Sequence, residues 1–202
     1  MATSIRKQKH EQIQNLVLAA MFTAIVIVLQ FIGAAIRFGP FSVSLVLIPI
    51  AVGAAVCGPY VGAWLGLVFG AVVILSGITT GDIVWFMEYS AVGTVITVLL
   101  KGIFAGLGAG LVYKALKNVN KWLAGIAAAI ICPILNTGIF FCGCLVFFGG
   151  LFQSSEGFSG SVPMYVITAV IGFNFVFELL LNTVMSPVIV RLIDLALHRR
   201  KS

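Results

Sequence analysis

The sequence predicts an all-α protein embedded in a lipid bilayer, and three observations carry that expectation. Hydrophobic residues make up 61% of the 202 positions and charged residues only 9%, with a mean hydropathy of +1.17, whereas soluble domains carry roughly one-quarter charged residues. The apolar residues form long unbroken runs rather than the alternating segments of about ten residues that build membrane barrels. Helices are therefore left to satisfy the backbone polar groups in hydrocarbon. The few charges gather in short segments beside those runs. A crossing takes about 20 residues, so the length suits about six crossings in a single membrane domain spanning residues 1–202.

The first helix is expected from about Ile13 to Ala35, behind the basic stretch Arg6, Lys7 and Lys9. It exceeds the roughly 7 to 15 residues of a signal-peptide core, which argues for a retained helix. The loop Arg37–Phe41 leads to a second run, Val43 to Val56, and the turn Cys57–Tyr60 leads directly to a third, Val61 to Ile78, so these two form a tight hairpin. A polar stretch holding Asp82 and Glu88 beside Trp85, Phe86 and Tyr89 follows, and is expected to form an amphipathic lid before the fourth helix, Ala91 to Leu116. The fifth, Trp122 to Phe148, contains Pro133 and ends in a Gly- and Ser-rich stretch expected to be a mobile surface loop. The sixth runs from about Pro163 to Leu197.

Lys and Arg near helix ends favour the cytoplasmic side. They occur in the N-terminal tail, after the fourth helix (Lys114, Lys117, Lys121) and in the tail Arg199, Arg200, Lys201. With six crossings these three segments share one side, which places both termini in the cytoplasm. The opposite loops carry Asp82, Glu88 and Glu156 with a single basic residue, Arg37. The net charge of +6 thus reads as a topology signal, and no nucleic-acid partner is expected, because the basic residues do not interleave with exposed aromatics.

Small residues recur at four-residue spacing as Gly62, Gly66 and Gly70 in the third helix and Gly102, Gly106 and Gly110 in the fourth. In lipid such stripes let backbones approach, and internal packing is their ordinary use. The first helix offers Ala20 and Ala24 at the same spacing on a face otherwise lined by Ile, Val, Leu and Phe, a candidate docking strip for another membrane subunit.

An ionisable group placed in the bilayer costs at least about 2.5 to 3.5 kcal/mol, so an embedded one marks a candidate site. Lys101 in the fourth helix and Glu178 in the sixth qualify, the latter flanked by Asn174 and Asn182 at helical spacing. Asn136 follows Pro133, which frees backbone hydrogen-bonding groups at similar depth. Together they suit a polar solute pocket walled by Trp85, Phe86, Phe140, Phe141 and Tyr165, with Arg37 and Lys101 matching an anionic group on the solute. The bland alternative is that Lys101 and Glu178 neutralise each other as a buried pair. Phosphate-cradling, zincin and nucleophile-elbow motifs are absent, and both histidines, His10 and His198, lie in the tails. No catalytic residue, metal or cofactor is implied. The four cysteines read as small buried hydrophobes. On the residues alone, three classes stay open: a binding subunit, an ion-coupled secondary carrier using Glu178, and a membrane enzyme whose best candidates would be Asp82 and Glu88.

The stretches Gly39–Gly70, Leu99–Lys117 and Pro133–Phe141, in this order, resemble the substrate-binding S components of energy-coupling factor (ECF) transporters. The resemblance covers nearly the whole chain. It implies six transmembrane helices with both termini inside, capture of a vitamin or related micronutrient at the outer face, and partners in the form of a transmembrane scaffold and two cytoplasmic ATPases in a prokaryotic cell membrane. It also implies that Ala20 and Ala24 contact the scaffold. By the same resemblance, the loops at 37–42 and 79–90, with lid residues Asp82, Phe86 and Glu88, gate a pocket near Asn136. The sequence is most similar to the branch that includes pantothenate transporters, with folate, hydroxymethylpyrimidine, lipoate and riboflavin as alternatives.

Overall fold

The computed structural model describes residues 2–35, 37–38, 41–42, 45–155, 158 and 160–199, and side chains for 12–33, 45–155, 158, 160–172 and 174–198. Among the described residues, five helices are long and apolar enough to cross a bilayer. They are α1 (Ala2–Ala35), α3 (Pro59–Thr80), α4 (Val84–Leu116), α5 (Lys121–Phe147) and α8 (Gly172–Arg199). Among the described residues the only strands are β1 (Arg37–Phe38) and β2 (Phe41–Ser42), a short antiparallel ribbon between α1 and the next helix.

That next helix, α2 (Leu47–Cys57), starts later than the apolar run suggests, because Leu45 and Val46 form a turn. Pro49 suits this start, because a residue without an N–H is best tolerated in a first helical turn. With 11 residues at about 1.5 Å rise each, α2 spans roughly half the hydrocarbon thickness. It does not need to match the lipid, because it packs against α1, α3, α4, α5 and α8 and buries nine of its residues among them. Gly58, at φ +103°, makes the tight connection into α3 that only a residue without Cβ adopts readily.

The two glycine stripes pack on each other. A Cβ on Gly62 would overlap the backbone of Gly106, one on Gly66 would overlap that of Gly102, and one on Gly70 would come within 2.8 Å of the Val98 carbonyl oxygen. The pairing is antiparallel, and the contact is van der Waals packing of backbone on backbone. The antiparallel sense continues in α4 and α5, where Gly108 meets Leu135 and Gly143 meets Thr97, and in α5 and α8, where Gly125 meets Val190. The start of α1, the turn Lys117–Asn120 and the end of α8 therefore share one end of the bundle. Asn120 begins α5 there, its Oδ1 accepting from the backbone N–H groups of Trp122 (2.8 Å) and Leu123 (3.2 Å).

At the other end the polar stretch after α3 forms a short helical arm, Val84–Tyr89, set off from the remainder of α4 by the extended residue Ser90. Two expectations are revised there. The Gly- and Ser-rich stretch does not start as a loop. It opens with α6 (Gly149–Gln153), whose Leu151 and Phe152 are buried against Phe86 and Phe148. The last run is divided into α7 (Val162–Tyr165), a π-helical segment Val166–Ile171, and α8. Val166 and Ile171, five residues apart, are both buried in the same aromatic cluster, which suits the wider π turn.

Candidate functional site

The helix pairings converge on a cavity of about 230 Å³ at the end of the bundle opposite the termini. The close approach of Gly66 and Gly102 sets the neighbouring Lys101 against α3. Its Nζ lies 5.9 Å from the ring centroid of Phe69 and 5.0 Å from that of Phe140 on α5, a cation held over two aromatic faces. From α5, Asn136, Thr137 and Phe140 share one helical face toward the cavity. From the last run come Val170, Ile171, Asn174, Phe175 and Glu178, again at helical spacing.

Glu178 is 2% exposed and accepts a hydrogen bond from Asn174 Nδ2 at 3.2 Å. Asn182 does not reach the cavity. It donates to the main-chain carbonyl of Glu178 at 2.9 Å and so braces that turn of α8. Asn136 is 4% exposed, and its Oδ1 accepts no hydrogen bond. A buried carbonyl oxygen left in this way costs free energy unless a guest or water supplies a donor, so the position marks where a donor is wanted. The cavity thus presents a cation, an anion and an unused acceptor between aromatic walls. Such a lining has the chemistry of a pocket suited to a small polar molecule.

Of the residues expected from sequence, the structure brings Asn136, Lys101, Glu178, Asn174 and Phe140 to this cavity, together with the lid residues Asp82 and Phe86. Asp82 Oδ2 accepts from Thr80 Oγ1 at 2.8 Å. Trp85 and Tyr165 are not on the cavity. Trp85 is 43% exposed and packs edge-on against Phe86 (5.2 Å) and Phe152 (5.9 Å). Tyr165 packs on Phe152 (5.9 Å) and Phe158 (5.6 Å) behind the wall. Phe141 sits in the same aromatic cluster, off the cavity. Glu88 is exposed away from the cavity. The side chain of Arg37 lies outside the described residues. Ala20 and Ala24 are both exposed on α1. Sequence reasoning overlooked Gln30, Ser76 and Thr137, which also line the cavity. Gln30 was detectable as an amide deep within the apolar run of the first helix, far from Gln14 and Asn15 at its start.

Residues 14–190 match the family described as ECF transporter, substrate-specific component. The chain belongs to this family. It is therefore a transporter subunit that binds a substrate for uptake and works with an ECF module, and it is a multi-pass membrane protein. No curated protein and no solved structure matches this substrate-specific component. The polar groups of five helical segments meet at the cavity described above.

Proposed function

We propose that this subunit captures a compact, anionic, water-soluble vitamin at the outer face of a prokaryotic cell membrane, with pantothenate the leading candidate. It would then pass the vitamin inward with a transmembrane scaffold and two cytoplasmic ATPases. The observation that carries the reading is the cavity in which Lys101 and the unused acceptor of Asn136 face the same space. Lys101 holds a carboxylate, Asn136 accepts from a hydroxyl or amide N–H, and Phe69, Phe86 and Phe140 cover the apolar body. A volume of about 230 Å³ falls below the roughly 300–1,000 Å³ of pockets for drug-sized ligands. That favours pantothenate, lipoate or hydroxymethylpyrimidine over the larger riboflavin and folate.

In this reading the chain crosses the bilayer six times, with the shielded α2 as the second crossing, and both termini and the Lys117–Asn120 turn face the cytoplasm. The cavity, at the opposite end, then opens outward beneath the arm Val84–Tyr89. Residues 1–202 act as one membrane domain, and Ala20 and Ala24 form part of the strip that meets the scaffold.

Equilibrium binding of the five named vitamins to the purified subunit in detergent tests the proposal. One of them should bind with 1:1 stoichiometry, and vesicles holding the subunit alone should accumulate none. Uptake by the subunit alone under a proton or sodium gradient would overturn the capture reading in favour of an ion-coupled carrier.

A further inference from the structure

α1 is the long helix least enclosed by the rest of the bundle. Among its described side chains only Val26, Gln30 and Gly33 are buried, while Leu16, Val17, Ala20, Met21, Ala24, Ile25 and Val28 are exposed along it. Gln30 is 7% exposed and, among the described residues, is the only α1 residue on the cavity. Its Nε2 donates to Ser76 Oγ on α3 at 3.4 Å, a long bond. Ser76 lines the cavity too, and its own hydroxyl is directed back to the Val73 carbonyl oxygen at 3.3 Å. A glutamine amide has two donor hydrogens and an acceptor oxygen. One donor is spent on Ser76, which leaves a donor and an acceptor at the cavity wall.

We infer that Gln30 is a substrate-contacting residue that ties the outer half of α1 to the occupied cavity, so that capture is read out on the helix offering its other face to a partner. This rests on the capture reading above. The physical ground is an asymmetry. α1 is held mainly by weakly directional apolar contacts, and one buried amide is its single polar link to the cavity. A guest that bonds to Gln30 joins α1 to α3 through the Gln30–Ser76 pair and stabilises the docked position of α1. An empty cavity leaves the long Gln30–Ser76 bond as the tie at this depth, with a second α1–α3 bond, Trp64 Nε1 donating to Thr23 Oγ1 at 3.3 Å, two turns away from the cavity. Since a ligand shifts a conformational equilibrium only by its differential affinity for the two states, a direct contact from guest to α1 is what the coupling requires.

Hydrogen–deuterium exchange of the full-length subunit in detergent, with and without each of the five named vitamins at saturation, tests the inference. With the vitamin that binds, amides of residues 26–33 in the wild type should exchange several-fold more slowly, alongside those of α4, α5 and α8. In Gln30→Met, which keeps chain length and apolar packing, affinity should fall about tenfold. At saturation the protection of 26–33 should be lost while that of the other helices persists. Gln30→Ala should behave likewise and guards against an effect peculiar to methionine. Equal ligand-induced protection of α1 in the wild type and both variants, or unchanged affinity, would overturn the inference and leave the capture reading intact. A wild type that responds to none of the five vitamins would overturn both.

Discussion

Replacing Lys101 by methionine separates the two uses open to the buried charges. Met keeps an unbranched chain of similar length and removes the ammonium, which lies 5.0 Å from the Phe140 ring centroid and shares its cavity with Glu178. A hydrogen bond to a charged group contributes about 1.5–3 kcal/mol net. At about 1.4 kcal/mol per factor of ten, affinity for an anionic vitamin should fall roughly 10- to 150-fold. The same change withdraws the countercharge from a carboxylate that is 2% exposed, and breaking a buried pair from one side costs about 3–5 kcal/mol. Lys101→Met should therefore also lower Tm. Adding Glu178→Gln removes the uncompensated anion, so the double variant should regain most of its thermal stability and stay weak in binding. Calorimetric titration and thermal unfolding of the wild type, the single variants and the double variant measure both effects. Affinity within twofold of wild type in Lys101→Met, together with a lowered Tm, would refute the reasoning and reduce the two charges to a structural pair.

Three further outcomes are expected. Gly66→Ala sets a methyl group into the Gly102 backbone, and with no flexible atom to yield it should destabilise the bundle by about 1–3 kcal/mol or more, read as a lower Tm with reduced cavity occupancy. Ala24→Trp, on the exposed face of α1, should leave vitamin binding by the isolated subunit unchanged and abolish ATP-driven uptake by the reconstituted complex. Normal uptake would remove this face from the partner contact. Phe86→Ala deletes the ring that joins the arm Val84–Tyr89 to Phe140 (6.1 Å) and Phe148 (5.0 Å). Aromatic pairs are worth about 0.5–1.5 kcal/mol each, so vitamin dissociation in stopped flow should accelerate about tenfold. An unchanged off-rate would mean the arm does not cover the cavity.

The membrane class and the convergence of Lys101, Asn136, Asn174 and Glu178 were legible because each is a polar residue at helical spacing inside an apolar run, where it must turn inward. The errors have equally physical causes. Trp85 and Phe86 are neighbours on a helix, about 100° apart, so only one faces the cavity, and treating both as walls ignored that period. Tyr165 finds its partners in Phe158 and in Phe152, the latter buried on an α6 that a Gly- and Ser-rich composition concealed. Gln30 was passed over because it carries no charge, although an amide buried in lipid or protein is under the same obligation to find partners. The π segment leaves no pattern in sequence, since it follows from burying both Val166 and Ile171.

Small-molecule mass spectrometry of what accompanies the purified protein bears most directly on the idea that this cavity holds a vitamin. Material isolated from cells in rich medium should release one vitamin at close to one equivalent, and the same preparation of Asn136→Ala/Lys101→Met, folded by thermal unfolding, should release almost none. A wild type that carries no metabolite and takes up none when supplied, or a double variant that carries the same molecule in equal amount, would contradict the account.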